Sequence, residues 1–177
     1  MLNLFQHLIK RPRNKFGVTG DNYICKMKIK WLCKKFEDLS NNELYDLIVL
    51  RQEVFVVEQN CAYLDADGKD QQSWHILGYD ENSKLAAYAR IVFPGISYKE
   101  VAIGRVITSQ SHRRTGAGKE LMRETLKAIE SIYGKVPVRI SAQTYLVKFY
   151  ADFGFVSTGK EYLEDDIPHT EMIVKMV

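Results

Sequence analysis

Residues 28–36 (KIKWLCKKF) alternate apolar and polar, the two-residue period of a half-buried strand. The period then changes. Ser40-Asn41-Asn42-Glu43 opens a helix, with Ser40 placed to cap and Glu43 three residues on, as in a capping box. This helix is expected to run to about Gln59, with Leu44, Leu47, Ile48, Arg51 and Phe55 on one face, so an arginine interrupts an apolar stripe. Residues 73–79 and 84–93 read as a hairpin joined by Asp80-Glu81-Asn82-Ser83. Residues 100–108 (EVAIGRVIT) form a β-branched strand, and Gly104 inside it signals a bulge or a close backbone approach. A helix follows at 117–133, with Leu121, Met122, Leu126 and Ile129 at helical spacing, then a strand at 137–142. Residues 145–153 read as a short helix ended by Gly154. Two closing strands, 155–162 and 170–177, flank the polar segment Glu164-Asp165-Asp166-Ile167-Pro168. The order β-α-β-β-β-α-β-α-β-β predicts a single α/β domain with a mixed sheet.

Charge divides the chain at its beginning. Of 177 residues, the first 30 carry seven cations against one anion, a net +6. The remainder carry 18 cations and 21 anions, a net −3. Residues 1–26 therefore read as a basic extension, with one short amphipathic stretch over Leu2–Ile9, and are expected to be disordered or to precede a true start at Met27. The mildly acidic body does not call for nucleic acid. No run of about 18 apolar residues predicts a membrane span. Cys25, Cys33 and Cys61 stand far apart, with no C-x-x-C pair, so neither a zinc motif nor a redox motif is present. Free thiols point to a reducing cytoplasm.

The chemistry concentrates in Arg113-Arg114-Thr115-Gly116-Ala117-Gly118, between a strong strand and a strong helix. Two glycines allow a tight turn and close approach of a ligand. The first N–H groups of the next helix have no internal partner and, with the helix dipole, make an anion site. Arg113 and Arg114 add fixed positive charge, an arrangement suited to a diphosphate. The spacing fits neither G-x-x-x-x-G-K-[ST] nor G-x-G-x-x-G. Asp65-Ala66-Asp67-Gly68-Lys69-Asp70 lacks the sixth-position Gly and twelfth-position Glu of a calcium loop, so it reads as a polar turn.

Arg113 to Gly118 resembles the R-x-x-G-x-G pyrophosphate loop of the GNAT superfamily of acetyl-CoA-dependent N-acetyltransferases. A later block, Gln143 to Phe155, resembles that superfamily's N-x-x-A-x-x-F-Y-x-x-x-G-F, with Gln143 for Asn and Leu146 for Ala. Arg51 to Cys61, Tyr63 to Asp70, Ile103 to Val106 and Glu164 to His169 resemble the ElaA-type branch. The resemblance covers about residues 28–177. It implies a GNAT-like mixed sheet that splays between its fourth and fifth strands and is flanked by helices.

The implied reaction moves an acetyl group from the CoA thioester to a small-molecule or peptide amine, without a metal. Gly104 would mark the bulge. Val106, Ile107 and Thr108, the loop residues Arg113, Arg114, Thr115, Gly116, Ala117 and Gly118, and Gln143 would hold the cofactor. A backbone N–H near Val106 would meet the thioester oxygen. Tyr150 would be the general acid to the leaving thiolate, against the plainer reading that it only packs. Glu58 and His75 are the side chains considered for the base, with a water chain as the alternative. Arg51 is expected to pair with Glu53, Glu58 or an acid of the 65–70 loop. Dimers are common in the superfamily, so a homodimer is among the expected partners. Two alternatives remain: a longer-chain acyltransferase like the acyl-homoserine-lactone synthases, and a non-catalytic CoA-binding module.

Overall fold

In the computed structural model, which describes residues 28–175, Ser40 caps the first helix as its spacing predicts. Its hydroxyl accepts from the Glu43 N–H (3.2 Å), and the Glu43 carboxylate takes the Ser40 N–H (2.8 Å). Helix α1 (Asn41–Arg51) is shorter than expected. From Gln52 to Glu58 the chain widens into π geometry. Val54-Phe55-Val56-Val57 is a run of β-branched and aromatic residues that crowds an α-helical turn. Such widened turns re-aim side chains and are frequent at functional sites. The basic extension, residues 1–26, lies outside the described residues.

Seven strands follow the predicted order: β1 (Lys30–Lys35), β2 (Ser73–Tyr79), β3 (Leu85–Val92), β4 (Val101–Thr108), β5 (Pro137–Gln143), β6 (Val156–Glu164) and β7 (Ile167–Lys175). They form one mixed sheet in the order β1-β2-β3-β4-β5-β7-β6. Helices α2 (Ala117–Tyr133) and α3 (Val147–Ala151) complete the elements. One core lies on the α2 side of the sheet, around Ile76, Ile91, Ile103, Leu121, Met122 and Ile140. The other lies under α1, around Leu47, Leu50, Leu77, Tyr88 and Ile107. The polar segment expected at 164–168 is a two-residue turn. Asp165 (φ 49°) and Asp166 (φ 62°) both take the left-handed conformation, which suits the twist of a hairpin and lets both strands run into it.

The parallel pair β4–β5 is brief: Val101, Ala102 and Ile103 face Val138, Arg139 and Ile140, and the register ends there. Beyond it the strands part. The bulge that accompanies the parting is one residue later than Gly104. Between the pairs Arg90↔Gly104 and Tyr88↔Ile107, Ala89 of β3 opposes both Arg105 and Val106. Arg105, not Gly104, holds the positive φ (54°). A non-glycine residue in that region costs about 1–3 kcal/mol and persists only where its surroundings fix it.

Those surroundings are a cluster of three arginines and three aspartates. Arg51, 1% exposed, donates from Nε to Asp65 Oδ2 (2.7 Å), from Nη2 to the Asp65 carbonyl (2.8 Å) and from Nη1 to Asp70 Oδ1 (2.8 Å). Arg105 Nε donates to the second oxygen of the same Asp65 carboxylate (2.7 Å), and its guanidinium lies over the Phe55 and Tyr63 rings. Arg90 makes paired bonds to Asp67 (both 2.7 Å) and a third to Asp70 (2.8 Å). The expected partner of Arg51 is thus in the 65–70 loop, and the polar turn is the acidic half of the cluster. Burial pushes the Asp67 carboxyl up, but hydrogen bonds and charge from Arg90 outweigh it and hold the group below the ordinary range. Asp70 is likewise lowered, with burial opposed by Arg51 and Arg90.

Removing Asp65 leaves Arg51 buried beside a lost partner, so Asp65→Ala should cost about 3–5 kcal/mol of unfolding free energy in denaturant titration. The depressed Asp67 and Asp70 carboxyls give their stabilisation in full above about pH 4, the unfolded value. It is lost as pH falls through their lower folded values. The difference in unfolding free energy between wild type and Asp67→Asn should therefore hold level from neutrality to about pH 4 and shrink below it.

Candidate functional site

Strand β4 past its bulge offers an open backbone edge. The Ser109 N–H donates to the Ala86 carbonyl at 2.8 Å, toward β3. Counting back by the two-residue period, Ile107 turns its backbone polar groups toward β3 as well, while Val106 and Thr108 turn theirs toward the side from which β5 has parted. The expected cofactor contact at Ile107 is corrected by this count. Its side chain is buried under α1 and its backbone faces the sheet.

The loop after β4 is anchored and then turned back. His112 is buried, with Nδ1 2.8 Å from Ser109 Oγ and 3.0 Å from Ser111 Oγ. Arg114 (φ 63°) and Gly116 (φ 96°) take left-handed conformations on either side of Thr115. The Thr115 hydroxyl donates to the His112 carbonyl (2.8 Å) and makes only a long contact with the Ala117 N–H (3.4 Å). Gly116 caps α2 with no side-chain bond. Among the described residues, the N–H groups of Gly118 and Lys119 have no partner, and Arg114 forms no ion pair. A Cβ on Gly118 would lie 3.8 Å from Thr108 Cγ2 and 3.9 Å from Phe149 Cζ. The end of β4, the start of α2 and α3 therefore meet at this point. The free N–H groups and Arg114 give the loop the donors of an anion cradle, and it is continuous with the open β4 edge.

Arg113 does not face this cradle. Its Nη1 and Nη2 donate to Glu58 Oε1 (2.5 Å) and Oε2 (2.7 Å), and this pairing holds the guanidinium above its ordinary pKa. Two residues expected to serve separate partners are thus joined to each other, across 55 positions. The next residue along, Gln59, accepts from Gln143 Nε2 (3.4 Å), and Gln143 Oε1 accepts from the Tyr145 hydroxyl (2.6 Å). The end of the π segment is in this way tied to the loop beyond β4 and to the end of β5, one on each side of the gap.

His75 is fully enclosed, with Nδ1 2.8 Å from Tyr88 Oη and Nε2 3.0 Å from the Asp70 carbonyl. Both nitrogens are occupied, and burial lowers its pKa. It joins the arginine–aspartate cluster to the sheet and does not reach the cleft, which corrects its candidacy as a base. Tyr150, 6% exposed, packs edge-on against Phe149 and Phe155. Its hydroxyl has no hydrogen-bond partner among the described residues, yet it is not sealed as Trp31 Nε1 and Arg90 Nε are. Burial raises its pKa, so the phenol keeps its proton at neutral pH.

An open, solvent-connected cleft lies beside the gap. Phe55, Gln59, Cys61, Tyr63 and Arg105 form one wall; Gln143, Glu164, Asp165, Ile167 and His169 form the other. Of these residues the sequence assigns a role only to Gln143; Arg105 and His169 are among those it leaves without one. His169 carried a signal: it ends the Glu164–His169 block that resembles the ElaA-type branch, on a strand whose register puts it beside Gln143. Arg105 lay beside the glycine that drew attention instead. Among the described residues no helix is long and apolar enough to cross a membrane.

Residues 37–176 match the family described as "Acetyltransferase (GNAT) domain". A UPF0039 protein of Synechocystis is 43% identical over 150 residues, covering 85% of this chain and 97% of its own. Protein ElaA of Escherichia coli is 42% identical over 151 residues, covering 84% of this chain and 98% of its own. A crystal structure of an acyl-CoA N-acyltransferase from Pseudomonas aeruginosa superposes with a TM-score of 0.78 at 42% identity, over 83% of this chain and 99% of that one. With the family matched over most of the chain and the fold superposing over its length, the chain belongs to the GNAT family of acyltransferases, alongside the ElaA proteins.

Proposed function

We propose that this protein moves an acetyl group from acetyl-CoA to an amine acceptor in the cytoplasm, by direct transfer. The observation that carries this reading is the continuity of the open Val106–Thr108 edge with the anion cradle at Arg114–Gly118. An extended amide-bearing arm pairs with such an edge as an added strand does, while its diphosphate takes the free N–H groups of Gly118 and Lys119 and the side chain of Arg114. Coenzyme A has those two parts in that order. The backbone of Gln143 borders the same gap from β5.

A backbone N–H at Val106, beside the bulge, would meet the thioester oxygen. A donor of this kind contributes about 2.7–4 kcal/mol where negative charge develops. Tyr150 then protonates the leaving thiolate, since its phenol is retained in the acid form and its hydroxyl is unclaimed. The acceptor enters by the neighbouring cleft, where Glu164 and Asp165 draw a cationic amine. Glu58 reaches this region only by giving up Arg113.

An acetyl-CoA turnover screen across amines, read as free thiol released, tests the reading. Release with no amine in a chemically broad set would refute it. Coenzyme A should also raise the melting temperature of the protein, and Gly116→Asp combined with Gly118→Asp should remove the shift, with the ligand-free melting temperature as control. An undiminished shift in that variant would move the diphosphate elsewhere. Tyr150→Phe should lower kcat about 100-fold with acetyl-CoA affinity nearly unchanged; unaltered kcat would leave Tyr150 a packing residue only.

A further inference from the structure

We propose that His169 is the general base that takes the proton from the acceptor amine. The inference rests on the acyltransferase reading above and adds to it a residue on the acceptor side.

The ring is fixed in a useful tautomer. Nδ1 lies 2.8 Å from the Ile167 carbonyl oxygen, which can only accept, so Nδ1 carries the hydrogen. In the neutral imidazole Nε2 is then the nitrogen with the lone pair. Among the described residues nothing hydrogen-bonds Nε2, and it is not one of the sealed polar atoms. The ring is stacked on Tyr162, with centroids 6.1 Å apart and planes 20° from parallel. His169 lines the cleft, and Nε2 is the ring nitrogen left free while the other is held.

Its position suits the task. His169 is paired in register with Gln143, the last residue of β5, where the strand borders the gap. The other two side chains weighed for this role are engaged, Glu58 by both nitrogens of Arg113 and His75 by Tyr88 and Asp70. The titratable groups around the ring and its cleft are Tyr162, Glu164, Asp165, Cys61, Tyr63 and Arg105. Arg105 is already neutralised by Asp65 and Asp67. Among the described residues Glu164 and Asp165 are then the cleft carboxylates without an ion-pair partner, placed to draw the cationic acceptor toward the ring.

The atoms balance without another reactant. The acceptor nitrogen bonds to the acetyl carbonyl carbon as the C–S bond breaks. Nε2 takes the proton that leaves nitrogen, and sulfur receives the Tyr150 proton. The proton on His169 returns to Tyr150 through solvent, so the protein is unchanged after turnover. An acceptor that arrives as an ammonium gives one further proton to water.

The test compares wild-type protein with His169→Gln and His169→Ala, using acetyl-CoA and the best amine from the turnover screen. Melting temperature shows that each variant folds, and calorimetry measures acetyl-CoA binding. His169→Gln should lose about 100-fold in kcat/KM for the amine, keep its acetyl-CoA affinity and lose the rise of kcat/KM on the acid side. Added imidazole should restore part of the activity of His169→Ala. A rate within threefold of wild type with the same acid-side rise would overturn the assignment while leaving the acyltransferase reading intact. Wild-type protein that binds acetyl-CoA but acetylates no amine would overturn both.

Discussion

Asp65 sits where three parts of the protein need the same negative charge. One carboxylate oxygen takes Arg51 from the end of α1, and the other takes Arg105 from the bulge of β4 and the hydroxyl of Tyr63. Its carbonyl serves both arginines again. The group is 4% exposed, so water contributes little to holding it. Without this shared anion the left-handed backbone at Arg105 loses its short ion pair and keeps a long contact to Asp67 and the Phe55 and Tyr63 rings. The turn of β4 that opens its edge toward the gap depends on that backbone.

The cluster also explains why three arginines can be kept beneath a functional surface. Arg90 grips the Asp67 carboxylate with two aligned bonds, while Arg51 and Arg105 spread their forks over two aspartates and the Asp65 carbonyl, a use of several fixed donors that lysine cannot match. Three cations and three anions leave the group neutral, so the cleft above it takes its electrostatic character from Glu164 and Asp165. His75 and Tyr88 extend the same set of bonds into the sheet. The whole is a rigid floor on which the adjacent strand can be held in a strained form.

Much of this was readable from local pattern. The Ser40–Glu43 cap, the strands and the Arg113–Gly118 loop are set by neighbours a few residues away, and periodicity records such forces. That Arg51 would pair with Glu53, Glu58 or an acid of the 65–70 loop was legible because a buried guanidinium requires a carboxylate; which of them does so was not. Other features depend on contacts between distant segments, which leave no local mark. The bulge falls at Arg105 because Asp65, 40 positions earlier, holds that side chain, whereas Gly104 only has the freedom a bulge often uses. The enclosure of His75 depends on an aspartate loop and a neighbouring strand. The free nitrogen of His169 depends on one carbonyl two residues away and on a turn that is two residues long instead of five. The joining of Glu58 to Arg113 could not be read from either motif alone.

That ion pair has a consequence for how tightly an anion is held. A guanidinium free in water offers its whole attraction to an arriving diphosphate. Here the Arg113 side chain, about one-third exposed, already has a carboxylate on two of its nitrogens. A ligand that recruits it gains only the difference between two good pairings, and the displaced Glu58 must be rehydrated or find another cation. Occupancy of the cradle and freedom of the π segment's end are thereby linked: whatever draws Arg113 away loosens one of the two ties that hold this segment across the gap.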